Sequence, residues 1–166
     1  MKHLLCSTHG RFALVVCLAT AATFLGSENR ASAQQGKYVT EAAARLTKLV
    51  DTSNKAGFTL NDNVFSIGGG WLKQSKKDWI PLFAIPLTAG KSYRFIAAGD
   101  ADAKDVDLEI LDANNKVVAQ DVETDPWAAV DFTPKVSGVY LVRIRLYASD
   151  NNEPCVCLAV VMTKKE

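Results

Sequence analysis

Histidine occurs only at His3 and His9, so the rest of the chain has none. That absence excludes Ser-His-Asp and Cys-His nucleophilic catalysis, and any His-ligated metal, from the body of the protein. Cysteine is nearly as scarce. Cys6 and Cys17 lie near the start and Cys155 and Cys157 near the end, with no Cys-x-x-Cys spacing between any of them. A dominant sign of charge is also missing: 19 basic against 18 acidic residues leave a net of +1. Such a balance argues against a nucleic-acid surface or a polybasic membrane patch. No apolar run reaches the roughly 20 residues needed to span a bilayer. What is present, 48% apolar and 22% charged residues over 166 positions, is the composition of an ordinary globular chain holding one main domain.

The first 33 residues have the order of a secretory signal. Lys2 and Arg11 precede the uncharged apolar stretch Phe12 to Leu25, and a polar segment then ends in Ala31-Ser32-Ala33. This order predicts cleavage between Ala33 and Gln34. The competing reading, a membrane anchor, meets an apolar core that is too short. Neither Cys6 nor Cys17 follows the small residues that mark a lipid-modified cysteine, and no arginine pair indicates folded export. Removal of residues 1–33 takes away Lys2, Arg11, Arg30 and Glu28, leaving 16 basic and 17 acidic residues. The expected product is a secreted or periplasmic protein with no membrane attachment after cleavage.

Residues 34–57 differ in pattern from the remainder of the chain. Val39, Ala42, Ala43, Leu46, Leu49 and Val50 recur at helical spacing, with Glu41, Arg45 and Lys48 on the other side. Thr40 reads as the N-cap, and Asn54 to Gly57 as the stop. The segment is expected to lie along the domain, the alternative being a stalk or a partner-docking helix. From Phe58 to the end the period becomes two. Runs at Phe58–Leu60, Val64–Ile67, Trp79–Leu87, Ser92–Ala98, Val106–Leu111, Val117–Asp121, Ala128–Phe132, Val139–Tyr147 and Val156–Met162 are separated by turn chemistry, including Gly68-Gly69-Gly70. Eight or nine short strands over 58–166 predict an all-β, jelly-roll-like antiparallel sandwich. Tyr93, Phe95, Val106, Leu108, Ile110, Val130, Tyr140, Val142 and Ile144 should face the core, with Arg94, Asp107, Glu109, Asp131, Arg143 and Arg145 outside. The last strand is apolar on both faces, and the N-terminal helix is its expected cover.

Three stretches carry a family resemblance: Ile85-Pro86-Leu87-Thr88-Ala89-Gly90-Lys91-Ser92-Tyr93-Arg94-Phe95, Asp105-Val106-Asp107-Leu108-Glu109-Ile110-Leu111-Asp112, and Ala129-Val130-Asp131-Phe132-Thr133-Pro134 leading to Ser137-Gly138-Val139-Tyr140-Leu141-Val142. Over roughly residues 78–163 the chain resembles the bacterial pre-peptidase C-terminal domain, a β-sandwich appended to secreted hydrolases and also found alone. The resemblance implies an accessory or binding role. No protease or other catalytic domain precedes the match in this sequence, so the implied accessory lacks its enzyme.

Physical readings accompany these landmarks. Gly90 fits a turn position with φ > 0, and Tyr93 and Tyr140 should bury their rings while their hydroxyls reach backbone partners. The carboxylates Asp100, Asp102, Asp105 and Asp107 form an alternating acidic segment that could offer oxygen ligands to a structural Ca²⁺, without the EF-hand's glycine or distant glutamate. The competing reading is a solvated loop in which Asp105 or Asp107 caps backbone N–H groups. Trp71, Trp79 and Trp127 sit at turns or strand ends, where exposed rings could stack on a sugar or a protein. Of these, Trp71 and Trp127, together with Asp125, are the candidate ligand contacts; the alternative is that each ring closes an end of the core. Cys155 and Cys157 share one face of an extended strand, near the limit for bridging, and read as buried structural thiols or a strained disulfide. The expected function is therefore an exported, non-catalytic module that binds an extracytoplasmic protein or a cell-envelope glycan. A structural envelope component without a discrete ligand is the alternative.

Overall fold

The computed structural model describes the backbone of residues 21–60 and 66–165, and side chains from residue 35 onward within those ranges. Of the stretch expected to be a secretory signal, residues 1–20 lie outside the described residues. The chain divides into two units, Met1–Gln35 and Gly36–Glu166, and the second contains every described strand.

Helix α1 spans Ala21–Lys55. Thr40 is therefore not its N-cap: it lies inside the helix, where its hydroxyl donates to the Gly36 carbonyl at 2.9 Å. A threonine hydroxyl can be satisfied by the carbonyl one turn back as well as by a cap, so spacing alone does not tell the two apart. The end falls where expected. The Gly57 N–H donates to Asn54 O at 3.0 Å, and Gly57 takes φ 87°, the left-handed geometry that stops helices.

Strand β1 is Phe58–Thr59, β2 Ile67–Leu72, β3 Ile80–Leu87, β4 Tyr93–Gly99, β5 Ala103–Leu111, β6 Val117–Asp121, β7 Trp127–Phe132, β8 Gly138–Ser149 and β9 Cys155–Lys164. They form two antiparallel sheets. One has the order β1-β9-β4-β7, with β2 also paired to β9, and the other has the order β3-β8-β5-β6. The protein is an all-β sandwich. Gly68-Gly69-Gly70, expected as a turn, instead lies within β2, opposite Ala159, Leu158 and Cys157. Close approach requires glycine at two of the three positions: a Cβ on Gly69 would fall onto the Cys157 carbonyl oxygen, and one on Gly68 would sit 2.9 Å from the Phe83 ring. Gly90 adopts φ 80° as expected, whereas Gly138 simply begins β8.

The inner faces of both sheets fill one core. It holds Phe95, Ala97, Val106, Leu108, Ile110, Val130, Val142, Ile144 and Leu146, with Cys155, Cys157, Ala159 and Val161 from β9. The two tyrosines behave as anticipated: Tyr93 Oη accepts from the Thr88 N–H at 3.0 Å, and Tyr140 donates to Val136 O at 2.8 Å. The other face of β9 is covered too. Leu46, with Leu49 and Val50 beside it, packs on Phe58, Ile96, Ala98, Val160 and Met162, so α1 is the cover that the two-sided strand demanded. Arg45, assigned to the outer side of the helix by spacing, reaches over instead. Its guanidinium donates to Gly99 O and Asp100 O at 2.6 Å each, and to Pro126 O at 3.4 Å.

Candidate binding surfaces

The acidic segment is dispersed by the fold. Asp100 is fully buried, and its carboxylate accepts from the Val156 N–H at 2.6 Å and the Asp102 N–H at 3.1 Å, so it closes the corner between β4 and β9. The Asp102 carbonyl accepts from the Asp150 N–H. Asp105 and Asp107 lie on β5, and among the described residues no three or more His, Cys, Asp or Glu side chains converge on a metal position. Burial overturns the solvated-loop reading for Asp100, Asp105 and Asp107.

Asp107 and Glu109 correct the expectation of an exposed outer face: they are 1% and 3% exposed. Asp107 is opposite Arg145 in the ladder and accepts from its guanidinium at 2.7 and 2.6 Å, while Glu109 pairs with Arg143 opposite it. Segment 73–79 closes over them. Ser75 N–H donates to Leu146 O, Arg145 donates to Lys76 O, and the Arg145 guanidinium stacks 4.5 Å from the Trp79 ring centre and 4.9 Å from that of Tyr147. Alternation placed these carboxylates on the outer face correctly, but a strap crossing that face buries them.

Among the described residues Asp105 has no ion pair of its own, and Arg145, paired with Asp107, only partly offsets its burial. One carboxylate oxygen is buried without a hydrogen bond. Burial, then the neighbouring Asp107 charge, push its pKa up to about 6. The folded protein thus holds a proton there that the unfolded chain releases near 3.8. The resulting stability is fully present below the unfolded value and is lost as pH rises through about 6. Asp105→Asn is expected to raise stability at pH 8 by on the order of 1–2 kcal/mol after solvent screening, with little gain at pH 4. Thermal melts at the two pH values check this; an equal shift at both would contradict the origin assigned to it.

The tryptophans are not three equivalent platforms. Trp127 packs on the cluster beneath α1 and lines, with Leu49, Thr52, Ser53, Arg94, Ile96 and Ala129, a small space of about 230 Å³. It is helix-covered rather than presented on a loop. Asp125 is half-buried and works through its backbone, accepting from the Val106 N–H at 2.8 Å. Trp79 is held over arginines. Trp71 is 49% exposed on β2, edge-on to Tyr38 at 5.3 Å, and walls a cleft of about 720 Å³ between the edge strands β2 and β3. The thiols of Cys155 and Cys157 are unbridged and buried. Burial, then the Asp100 charge, push Cys155 up to about 12, and burial raises Cys157 as well.

A surface with no signal in the composition appears at one end of the sandwich. The β5–β6 turn and the β7–β8 loop enclose about 720 Å³, lined by Val117, Val118, Phe132, Val136, Val139 and Tyr140. Val136 is 70% exposed and Val139 57%, above a floor made by the edge-to-face pair Phe132 and Tyr140. Lys116 and Lys135 stand among the lining residues. The Asp112 carboxylate beside them is engaged by the Asn114 and Lys116 N–H groups. Sequence spacing does not single out these valines, because only the fold brings Val117 around one opening with Val136 and Val139.

No protein-family model matches the chain, and no curated protein matches it. Among solved structures the chain is similar to a periplasmic inhibitor of g-type lysozyme from Aeromonas hydrophila, at 13% identity and TM-score 0.38 over 61% of this chain and 83% of that one. It is also similar to an acetyl xylan esterase from the rumen bacterium Butyrivibrio proteoclasticus, at 17% identity and TM-score 0.32, covering 65% of this chain but 32% of the esterase.

Proposed function

We propose that this protein is an exported, non-catalytic binding module whose end cleft takes an apolar, acidic segment of an extracytoplasmic protein. The observation that carries the reading is the cleft itself: exposed Val136 and Val139 around a Phe132–Tyr140 floor, with Lys116 and Lys135 beside them. Large apolar side chains left in water around a concavity are characteristic of interaction sites, and the lysines complement a carboxylate on what docks there. A protein ligand is favoured over a glycan because sugar stacking needs an open aromatic face at the site: Trp127 and Trp79 are both covered, and Trp71, though exposed, lies in the other cleft. The non-catalytic reading is supported by where reactive groups lie. The thiols are buried and hard to ionise, and Asp105 and Asp107, carboxylates whose pKa burial raises, line neither large cleft. Export rests on the charged, apolar and small-residue order of residues 1–33, and the accessory role on the resemblance to the pre-peptidase C-terminal domain. Among the described residues no helix is long and apolar enough to cross a membrane.

The test uses 1-anilinonaphthalene-8-sulfonate, which joins apolar rings to one anionic group. It should bind at the cleft, weaken about tenfold or more in Val136→Asp and several-fold in Lys135→Glu, and be unchanged in Trp71→Ser. A photo-crosslinking residue at position 139 of the exported protein should trap one protein band that Val136→Asp removes. Indifference of both readouts to position 136 would overturn the reading and leave a structural envelope role.

A further inference from the structure

Strand β2 shares no lining residue with the end cleft, so its surface is independent of what binds there. Edge strands are normally guarded against pairing by proline, charge or brevity. The other edges of this sandwich follow the rule: β3 carries Pro81 and Pro86, β1 is two residues long, β6 ends in Asp121 and β7 contains Asp131. Among the described residues, strand β2 has no such device. From Ser66 to Leu72 it carries neither charge nor proline, its centre is three glycines, and Ile67 and Trp71 are 58% and 49% exposed.

The ladder fixes which backbone groups face away from β9. Ser66 O accepts from the Val161 N–H of β9, so Ser66 directs its backbone polar groups toward β9. In an antiparallel ladder this direction alternates, which points the N–H and C=O groups of Ile67, Gly69 and Trp71 away from the sheet. The same three residues share a side-chain face, opposite Val160, Leu158 and Val156 respectively.

We infer that β2 pairs with β2 of a second copy of this chain, antiparallel, about a two-fold axis through Gly69. That register sets Gly69 against Gly69 and Ile67 of each copy against Trp71 of the other. All three outward-facing residues then form hydrogen-bonded pairs, and both exposed apolar side chains gain a cross-strand partner of the aromatic and β-branched type that stabilises sheets. No charge opposes like charge across the axis, and an isologous contact of this kind closes as a dimer. Glycine at 68 and 70 leaves the other face of the junction free of side chains.

The register has a specific chemical test. Cα atoms of hydrogen-bonded antiparallel pairs lie about 5.5 Å apart, which suits a disulfide. Ile67→Cys and Trp71→Cys proteins, mixed and mildly oxidised, should form a covalent dimer. Neither should do so alone, because like positions are not opposed. In each mixed dimer one Ile67–Trp71 pair remains intact. The unmodified protein should sediment as a dimer at tens of micromolar, and Ile67→Lys should weaken dimerisation about tenfold or more with an unchanged circular dichroism spectrum, and with an unchanged melt at concentrations too low for either protein to dimerise. A monomeric protein at 200 µM (about tenfold above the working range), a dimer insensitive to Ile67→Lys, or equal crosslinking by either cysteine variant alone would each overturn the pairing.

Discussion

Arg145→Met is expected to destabilise the protein by about 3–5 kcal/mol at neutral pH, a fall in Tm of roughly 10–20 °C at this chain length. The arginine is the counter-ion of a carboxylate that cannot reach water: Asp107 is 1% exposed and holds both contacts from the Arg145 guanidinium. Methionine would keep much of the apolar stem against Trp79 and Tyr147 but leave the charge uncompensated. Burial already pushes the Asp107 pKa up, against the opposing pull of Arg145. Without the arginine, the folded-state pKa rises further. The variant therefore loses stability as pH rises through that higher value, and the deficit should shrink at pH 4–5, where Asp107 takes a proton. Arg145→Met combined with Asp107→Leu should recover most of the loss, because the pair's main effect is to compensate itself. A double variant no more stable than the single one would show that the guanidinium acts chiefly through Lys76 O and the two rings.

Much of the sandwich was legible because its cause is local. The period-two runs that become β4, β5, β7 and β8 each fill one face of a shared core, and Gly90, Tyr93 and Tyr140 sit where turn geometry and a half-polar ring require them. Strand β9 was legible for a related reason: residues apolar on both faces need two covers, and α1 was the element available. The errors come from long-range contacts. Gly68-Gly69-Gly70 has the composition of a turn, yet it is a strand paired to β9, with glycine needed at 68 and 69 because the Phe83 ring and Cys157 O approach too closely for a Cβ. Asp107 and Glu109 have the spacing of solvated residues, yet a strap from elsewhere in the sequence buries them with arginines.

The candidate surfaces were less legible, for the same physical reason. Trp127 follows Asp125-Pro126 and reads as a loop ring until α1 is laid over it. Trp71 keeps its exposure, but its setting on an unguarded edge depends on which strands end each sheet. Val136 and Val139 are ordinary singly, since isolated exposed valines are common. They surround one opening only when Val117 of β6 and Phe132 of β7 arrive beside them.

Arg45 shows how a residue misplaced by periodicity can govern the attachment of a whole element, and Arg45→Met is expected to cost about 2–3 kcal/mol. Three backbone carbonyls, from Gly99, Asp100 and Pro126, converge on one of its nitrogens. They belong to the end of β4 and the approach to β7, so the side chain ties α1 to two chain segments at once. Hydrogen bonds from a charged donor are the stronger kind, and methionine offers none. Loosening this end should expose part of the face formed by Ile96, Ala98, Val160 and Met162, together with Trp127. The consequence is then more than a lower Tm. Tryptophan emission should shift to the red before global unfolding, and a protease should cut within residues 36–57 while β2 to β9 stay intact. Arg45→Lys, which keeps the charge but not the planar fork, should fall between the two. If Arg45→Met lowers Tm with no early emission change and no selective cleavage, the helix is held by Leu46 and its apolar neighbours, and the guanidinium only closes the corner of the sandwich.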